Sequence, residues 1–187
     1  MTTYLVLLRG INVGGKNPVS MARLRELLQE LGYSDVSTYI ASGNVILRSR
    51  KRASAVKAEI EAALPRAFKL HSELIAVHVL THEQLRAVIR DKPRGFGDEP
   101  AKYFSDAVFL IGIDASDAIK VFDPREGVDR VWPGDGVIYS QRLGSQRTKS
   151  RLSKVLGTPA YKSMTIRSWA TTTKLLELLD EATAPPP

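Results

Sequence analysis

Residues 5–17 read LVLLRGINVGGKN, and the fold turns on how this stretch is read. An apolar run meets Gly10, four residues follow, and Gly15-Lys16-Asn17 closes the pattern. A hydroxyl residue in place of Asn17 would complete G-x-x-x-x-G-K-[ST], the loop that wraps phosphates in nucleotide hydrolases. Two local features argue against that reading. An amide is a poor substitute for the hydroxyl beside magnesium, and Pro18 disfavours helical geometry at Asn17, so no helix can open at Lys16. The next strands supply a third argument. Val36–Ile40 and Asn44–Arg48 are separated only by Ala41-Ser42-Gly43. So short a connection permits an antiparallel hairpin and forbids a parallel crossover, whereas P-loop enzymes are built on parallel sheets. What survives is weaker. Gly14-Gly15 can aim successive N–H groups at an anion beside Lys16, or both glycines simply supply positive φ in a loop.

Working outward, Thr3–Arg9 reads as a buried strand, short and rich in Leu, Val and Tyr. Ser20 can cap a helix over Met21–Leu31, whose Met21, Leu24, Leu28 and Leu31 share one face. After the hairpin a second helix covers Ala53–Leu64, with Val56, Ile60 and Leu64 on one side and Pro65 at its end. Ile75–Leu80 is a strand, and Thr81 with Gln84 forms a capping box that opens a third helix to about Asp91. The order to Leu80 is β-α-β-β-α-β, the ferredoxin-like pattern of two helices on one face of a four-stranded sheet. Residues 93–100, PRGFGDEP, have the composition of a linker or exposed loop.

The second half echoes the first. Ala107–Ile111 is an apolar strand, and 109-FLIGID-114 aligns with 7-LLRGIN-12. A short helix over Ala115–Phe122, a hairpin of Val128–Trp132 and Val137–Ser140 about the turn PGDG, a helix around Arg151–Leu156 and a long helix over Ile166–Ala182 follow. The tail Ala184-Pro-Pro-Pro is expected to fray. This is an α+β chain of two related units, a ferredoxin-like βαββαβ unit at 1–92 and a βαββα unit at 93–187, the mark of an internal duplication. Val13–Val19 has no counterpart in the second unit. It is an addition on a loop, where function concentrates.

The chain has 187 residues, 43% of them hydrophobic, enough for a core. It has no cysteine, which excludes disulfides, thiolate catalysis and cysteine-bound metals. No apolar run has the length of a membrane span and no leader-like segment opens the chain, so a cytoplasmic protein is expected. The net charge is +7, and it is local. Arg142, Arg147, Lys149, Arg151, Lys154, Lys162, Arg167 and Lys174 fall in a stretch without one acid. Such a segment favours nucleic acid or another phosphate-bearing partner, or else is a solvated face.

Three blocks resemble a bacterial family known as domain of unknown function family 1697. They are 8-LRGINVGGKN-17 followed by Met21 and Leu24, 38-TYIASGNVIL-47, and 165-TIRSWATTTKL-175. In the last, Ser168 and Ala170 stand where the family pattern T-x-R-N-W-N-T-x-x-K-L carries asparagines. The resemblance implies ferredoxin-like units and leaves activity open. Short polar blocks at strand ends are poor core material, so they define the candidate ligand residues. Arg9, Asn12, Gly14, Gly15, Lys16 and Asn17 leave the first strand, Ser42 and Asn44 sit at the first hairpin, and Arg167, Trp169, Thr171 and Lys174 open the last helix. There Arg167, Thr171 and Lys174 would share a face, and a helix N-terminus beside cations can seat an anion. Trp169 reads first as a core or interface anchor, and Thr171 and Lys174 read equally as an ordinary solvated face.

Other chemistry finds little support. His71, His78 and His82 are the only histidines, and His78 and His82 fall on a strand and beyond a helix cap, a poor metal site. No G-x-S-x-G elbow occurs, no nucleophile–base pair stands out, and no cofactor is implied. Tyr4, Tyr39, Trp132 and Tyr139 lie in strands and could present an RNA-stacking sheet face, although no RNP1-type run is present. The expectation is a binding module for nucleic acid or a phosphate-bearing small molecule, through Arg142, Arg147, Lys149, Arg151 and Lys154 or through the glycine loop. The alternatives are an enzyme or sensor for a small anionic metabolite, and a structural or partner-binding protein.

Overall fold

The computed structural model describes residues 1–72 and 74–184. The fold is α+β, with two four-stranded sheets in which every pairing is antiparallel. The chain divides into two compact units, one of Met1–Leu85 with the residues from Leu175 onward, the other of Arg86–Lys174.

In the first unit, β1 (Thr2–Leu8) lies centrally between β3 (Asn44–Ser49) and β4 (Val77–Thr81), and β2 (Ser34–Tyr39) takes the edge beyond β3. The sheet order is β2-β3-β1-β4. Tyr4, Val6 and Leu8 alternate along β1, so all three project to one face. There they pack with Leu24 and Leu28 of α1 (Met21–Glu30) and Val56, Ile60 and Leu64 of α2 (Ala53–Ala67). Ser20 caps α1 as its sequence predicts, accepting from the Arg23 amide. The capping box is reciprocal: the Thr81 amide donates to Gln84 Oε1 at 2.8 Å and the Gln84 amide to Thr81 Oγ1 at 3.2 Å. It opens α3 (His82–Arg90).

In the second unit, β5 (Tyr103–Leu110) is central, β7 (Val137–Leu143) and β8 (Met164–Ser168) flank it, and β6 (Asp129–Gly134) is the edge. The order β6-β7-β5-β8 repeats that of the first sheet. The single turn of α4 (Ala115–Ala118) runs into a 3₁₀ turn, Ile119–Val121. Between β7 and β8 the chain forms three 3₁₀ turns, Gly144–Lys149, Leu152–Gly157 and Pro159–Ser163. α5 (Trp169–Thr183) ends the described chain; the three tail prolines lie outside the described residues.

The structure corrects the sequence reading in several places. α2 does not stop at Pro65 but runs to Ala67, because the apolar stripe of Val56, Ile60 and Leu64 continues onto Ala67 and Phe68. The helix expected over Ile166–Ala182 begins only at Trp169. Met164–Ser168 is a strand paired to β5, and Ser168 Oγ accepts from the Thr171 amide to start the helix. The second unit therefore closes with a fourth strand. The helix expected around Arg151–Leu156 is a 3₁₀ turn. The stretch 93–100 is a loop, but not an exposed one throughout. Phe96 is fully buried and meets Tyr139 and Trp169 edge-on, with ring centroids 5.2 and 4.9 Å away. Finally, Tyr4 and Tyr139 form no open stacking face. Tyr4 lies in the helix-side core, and the Tyr139 hydroxyl is buried and donates to Val88 O at 2.6 Å.

Candidate functional site

The glycine loop folds as a miniature hairpin. The Asn12 amide donates to Asn17 O at 3.1 Å and the Lys16 amide to Val13 O at 3.0 Å. Gly14 and Gly15, the two residues between Val13 and Lys16, have φ of +57° and +73°, as a primed turn demands. The Lys16 amide is thus spent on the turn. Asn12 and Asn17 also take positive φ, +55° and +48°, which asparagine tolerates better than most residues.

Their side chains fasten the loop. Asn12 Nδ2 donates to Val19 O at 2.9 Å and to Ala41 O at 2.8 Å. Asn17 is buried; its Nδ2 donates to Gly10 O and Ser72 Oγ, while its Oδ1 accepts from the His71 and Ser72 amides. Asn44 is wholly buried and donates to Tyr39 O and Ser42 Oγ. Gly43 carries φ of +81°, and a Cβ there would stand 2.8 Å from Leu8 Cβ. Asn12, Asn17, Asn44, Ser42 and Gly43 therefore hold the backbone together. Of the loop's candidate residues, Gly14, Gly15 and Lys16 remain exposed at its tip beside Val13, and Arg9 is half-buried at the end of β1.

The other candidates belong to the second unit. Arg167 is a buried strand residue, not the first turn of a helix, so it does not share a helical face with Thr171 and Lys174. Its guanidinium donates to Thr165 Oγ1 and Ile166 O, and burial lowers its pKa to about 10. Trp169 is nearly buried against the Gly97 backbone, where a Cβ would fall 2.3 Å from its ring. It borders a cleft of about 410 Å³ with Tyr103, Ser105, Ser168, Ala170 and Thr173. Ser168 and Ala170 both line this cleft.

Within the basic segment, local carboxylates take up part of the charge. Asp123 bridges Lys154 at 2.7 Å and Arg151 at 3.4 Å, and both cations hold its carboxyl below the usual range. Arg142 faces Asp106 across the β5–β7 pair. Arg147, Lys149 and Lys162 are exposed on the 3₁₀ turns and meet no carboxylate among the described residues. The segment is fixed from beneath by Asp129, a buried residue whose Oδ2 accepts from the Arg125 and Arg151 amides at 3.0 and 2.8 Å.

Sequence reasoning missed a cleft beneath this segment. It has a volume of about 250 Å³. Asp106 and Ser140 line its polar end, and Phe122, Leu152 and Ile166 its apolar walls. Burial raises the Asp106 pKa, with Arg142 opposing the shift. The available signal was alternation: Phe104, Asp106, Val108 and Leu110 share one face of β5, so a carboxylate points where an apolar side chain is expected.

Residues 1–139 match the model of a protein family of unknown function (DUF1697), and the chain belongs to that family. It is similar to a solved structure described as "conserved bacterial protein SP0830 from Streptococcus pneumoniae", with 27% identity and a TM-score of 0.80 over 96% of this chain and 99% of that one. No curated protein matches the chain. Among the described residues, no helix is long and apolar enough to cross a membrane and no group of three or more His, Asp or Glu could hold a metal ion.

Proposed function

We propose that the protein is a binding module for nucleic acid, held through its phosphates by the 3₁₀ segment of the second unit. One observation carries this reading. Gly144–Ser163 winds in three short turns that put Arg147, Lys149 and Lys162 in solvent with no acid partner among the described residues, while Lys154 shares Asp123 with Arg151. Lys and Arg side chains in solvent are the groups that neutralise phosphates. The Val13–Lys16 tip, with its single Lys16, is a secondary contact in this reading.

Two finer points of architecture belong to the same proposal. Each unit is ferredoxin-like, and the pair arose by internal duplication. The shared strand order supports this. So do Gly10 and Gly112, aligned in sequence just beyond β1 and β5, which take φ of +69° and +71°. The Val13–Val19 loop is then an insertion into one copy.

The test is filter retention of single- and double-stranded oligonucleotides at low and rising salt. Retention should fall steeply with salt, by a slope of ~0.7–0.9 per phosphate contact. It should drop in the double variant Arg147→Glu, Lys149→Glu. No retention at low salt sinks the reading. A small anionic ligand is the second reading, favoured by the cleft behind the segment.

A further inference from the structure

We infer that the cleft beneath the 3₁₀ segment accepts a single nucleobase, whose edge bridges Asp106 and Arg142 while its phosphate takes the cations at the rim. The inference rests on the phosphate-binding role just proposed and names what that site recognises.

Three observations lead to it. The first is an incomplete ion pair. Arg142 Nη2 stands 3.6 Å from Asp106 Oδ2, outside hydrogen-bond reach. Arg142 Nε is buried with no acceptor among the described residues. Both residues line the cleft and keep part of their side chains accessible, 30% for Arg142 and 25% for Asp106, so one group in the cleft can meet both. An ionised carboxylate only accepts and a guanidinium only donates. A group that meets both must offer a donor next to an acceptor. The Watson–Crick edge of every base does so.

The second observation is shape. The cleft holds about 250 Å³, with Phe122 and Ile166 in its walls, room for one flat ring rather than an extended chain. Ser140 and Ser153 add hydroxyls at its lining that suit a ring bearing several polar atoms. The third is continuity. Leu152, Ser153 and Val155, which wall the cleft, alternate with Arg151 and Lys154. Those two cations are held by Asp123, the neighbour of Phe122. A nucleotide with its base in the cleft places its phosphate where these cations can exchange Asp123 for it. No bond is made or broken in this step; it is recognition only.

Calorimetric titration tests the inference, with uridine 5′-monophosphate, adenosine 5′-monophosphate and ribose 5-phosphate as probes. At least one nucleotide should bind the wild type more tightly than ribose 5-phosphate. That preference should fall about tenfold or more in Asp106→Asn. Ser153 is exposed at the cleft mouth, so Ser153→Trp should block the ring without disturbing the core and cost as much. Affinities equal to that of ribose 5-phosphate, or indifferent to both variants, overturn the base-binding cleft. If oligonucleotides are still retained on filters and lost in Arg147→Glu, Lys149→Glu, that failure is the cleft's alone. If retention is absent as well, the phosphate-binding role falls with it.

Discussion

Asn12 and Val19 are joined in both directions: Asn12 Nδ2 donates to Val19 O at 2.9 Å, and the Val19 amide donates to Asn12 Oδ1 at 2.8 Å. The pair closes the glycine hairpin at its base, and the same Nδ2 reaches Ala41 O in the β2–β3 connection. Asn12→Ala removes three hydrogen bonds and puts a Cβ-only residue at φ of +55°. The expected loss is about 2–4 kcal/mol, at roughly 1 kcal/mol per bond plus the backbone term. Urea unfolding checks it. Lys16→Ala, at the exposed tip, should leave stability within about 0.5 kcal/mol. The contrast separates residues that build the loop from those that it displays.

Gly97→Ala tests how Trp169 is seated. The new Cβ would lie 2.3 Å from Trp169 Cδ1, at a backbone φ of +75°. The ring must move or the loop must. A destabilisation above about 2 kcal/mol is expected, from overpacking and strain together. Tryptophan fluorescence of the folded variant should shift to the red as the indole loses its cover, and an unshifted spectrum would contradict the packing described.

His78 makes stability depend on pH. Burial is the main cause that lowers its pKa to about 4, and Lys57 adds to it. The unfolded chain therefore binds a proton near the ordinary histidine pKa of ~6.5 that the folded chain refuses. Stability should fall as pH drops from about 6.5 to about 4, by no more than roughly 2–3 kcal/mol from this residue. In His78→Gln that slope should flatten. Denaturation midpoints across the interval decide the matter, and a slope unchanged by the substitution removes His78 as its source.

Asp123→Asn should strengthen anion binding. It frees Arg151 and Lys154 from the carboxylate that both of them contact. Retention of oligonucleotides should rise and its salt dependence should steepen, since more cations then face the phosphates. Weaker retention would mean that Asp123 is needed to position the two cations.

What the sequence made legible was periodicity. The four-residue steps of Leu24 and Leu28, and of Val56, Ile60 and Leu64, marked α1 and α2, and the three-residue gap before Asn44 marked the hairpin. The 3₁₀ turns escaped because they bury only Leu152 and Val155 and carry no sustained period. β8 escaped because its five residues lead straight into a helix, and only the Ser168 cap separates them. Phe96 was hidden in a Gly- and Pro-rich loop whose composition says surface. The signature asparagines look like ligand groups in the sequence. Their bonds to Val19, Ala41, Gly10 and Tyr39 are long-range or turn-closing contacts that composition does not reveal. Asp106 and Arg142 lie far apart in sequence and meet only through strand pairing.

The division of α5 has a consequence for synthesis. Residues to Lys174 belong to the second unit and those from Leu175 to the first, where the wholly buried Leu175 and Leu179 and the 2.6 Å pairing of Asp180 with His82 lie. On the ribosome, the N-terminal unit is therefore made first and finished last. Until its final helix emerges it must wait as an open structure, exposed to chaperones and proteases.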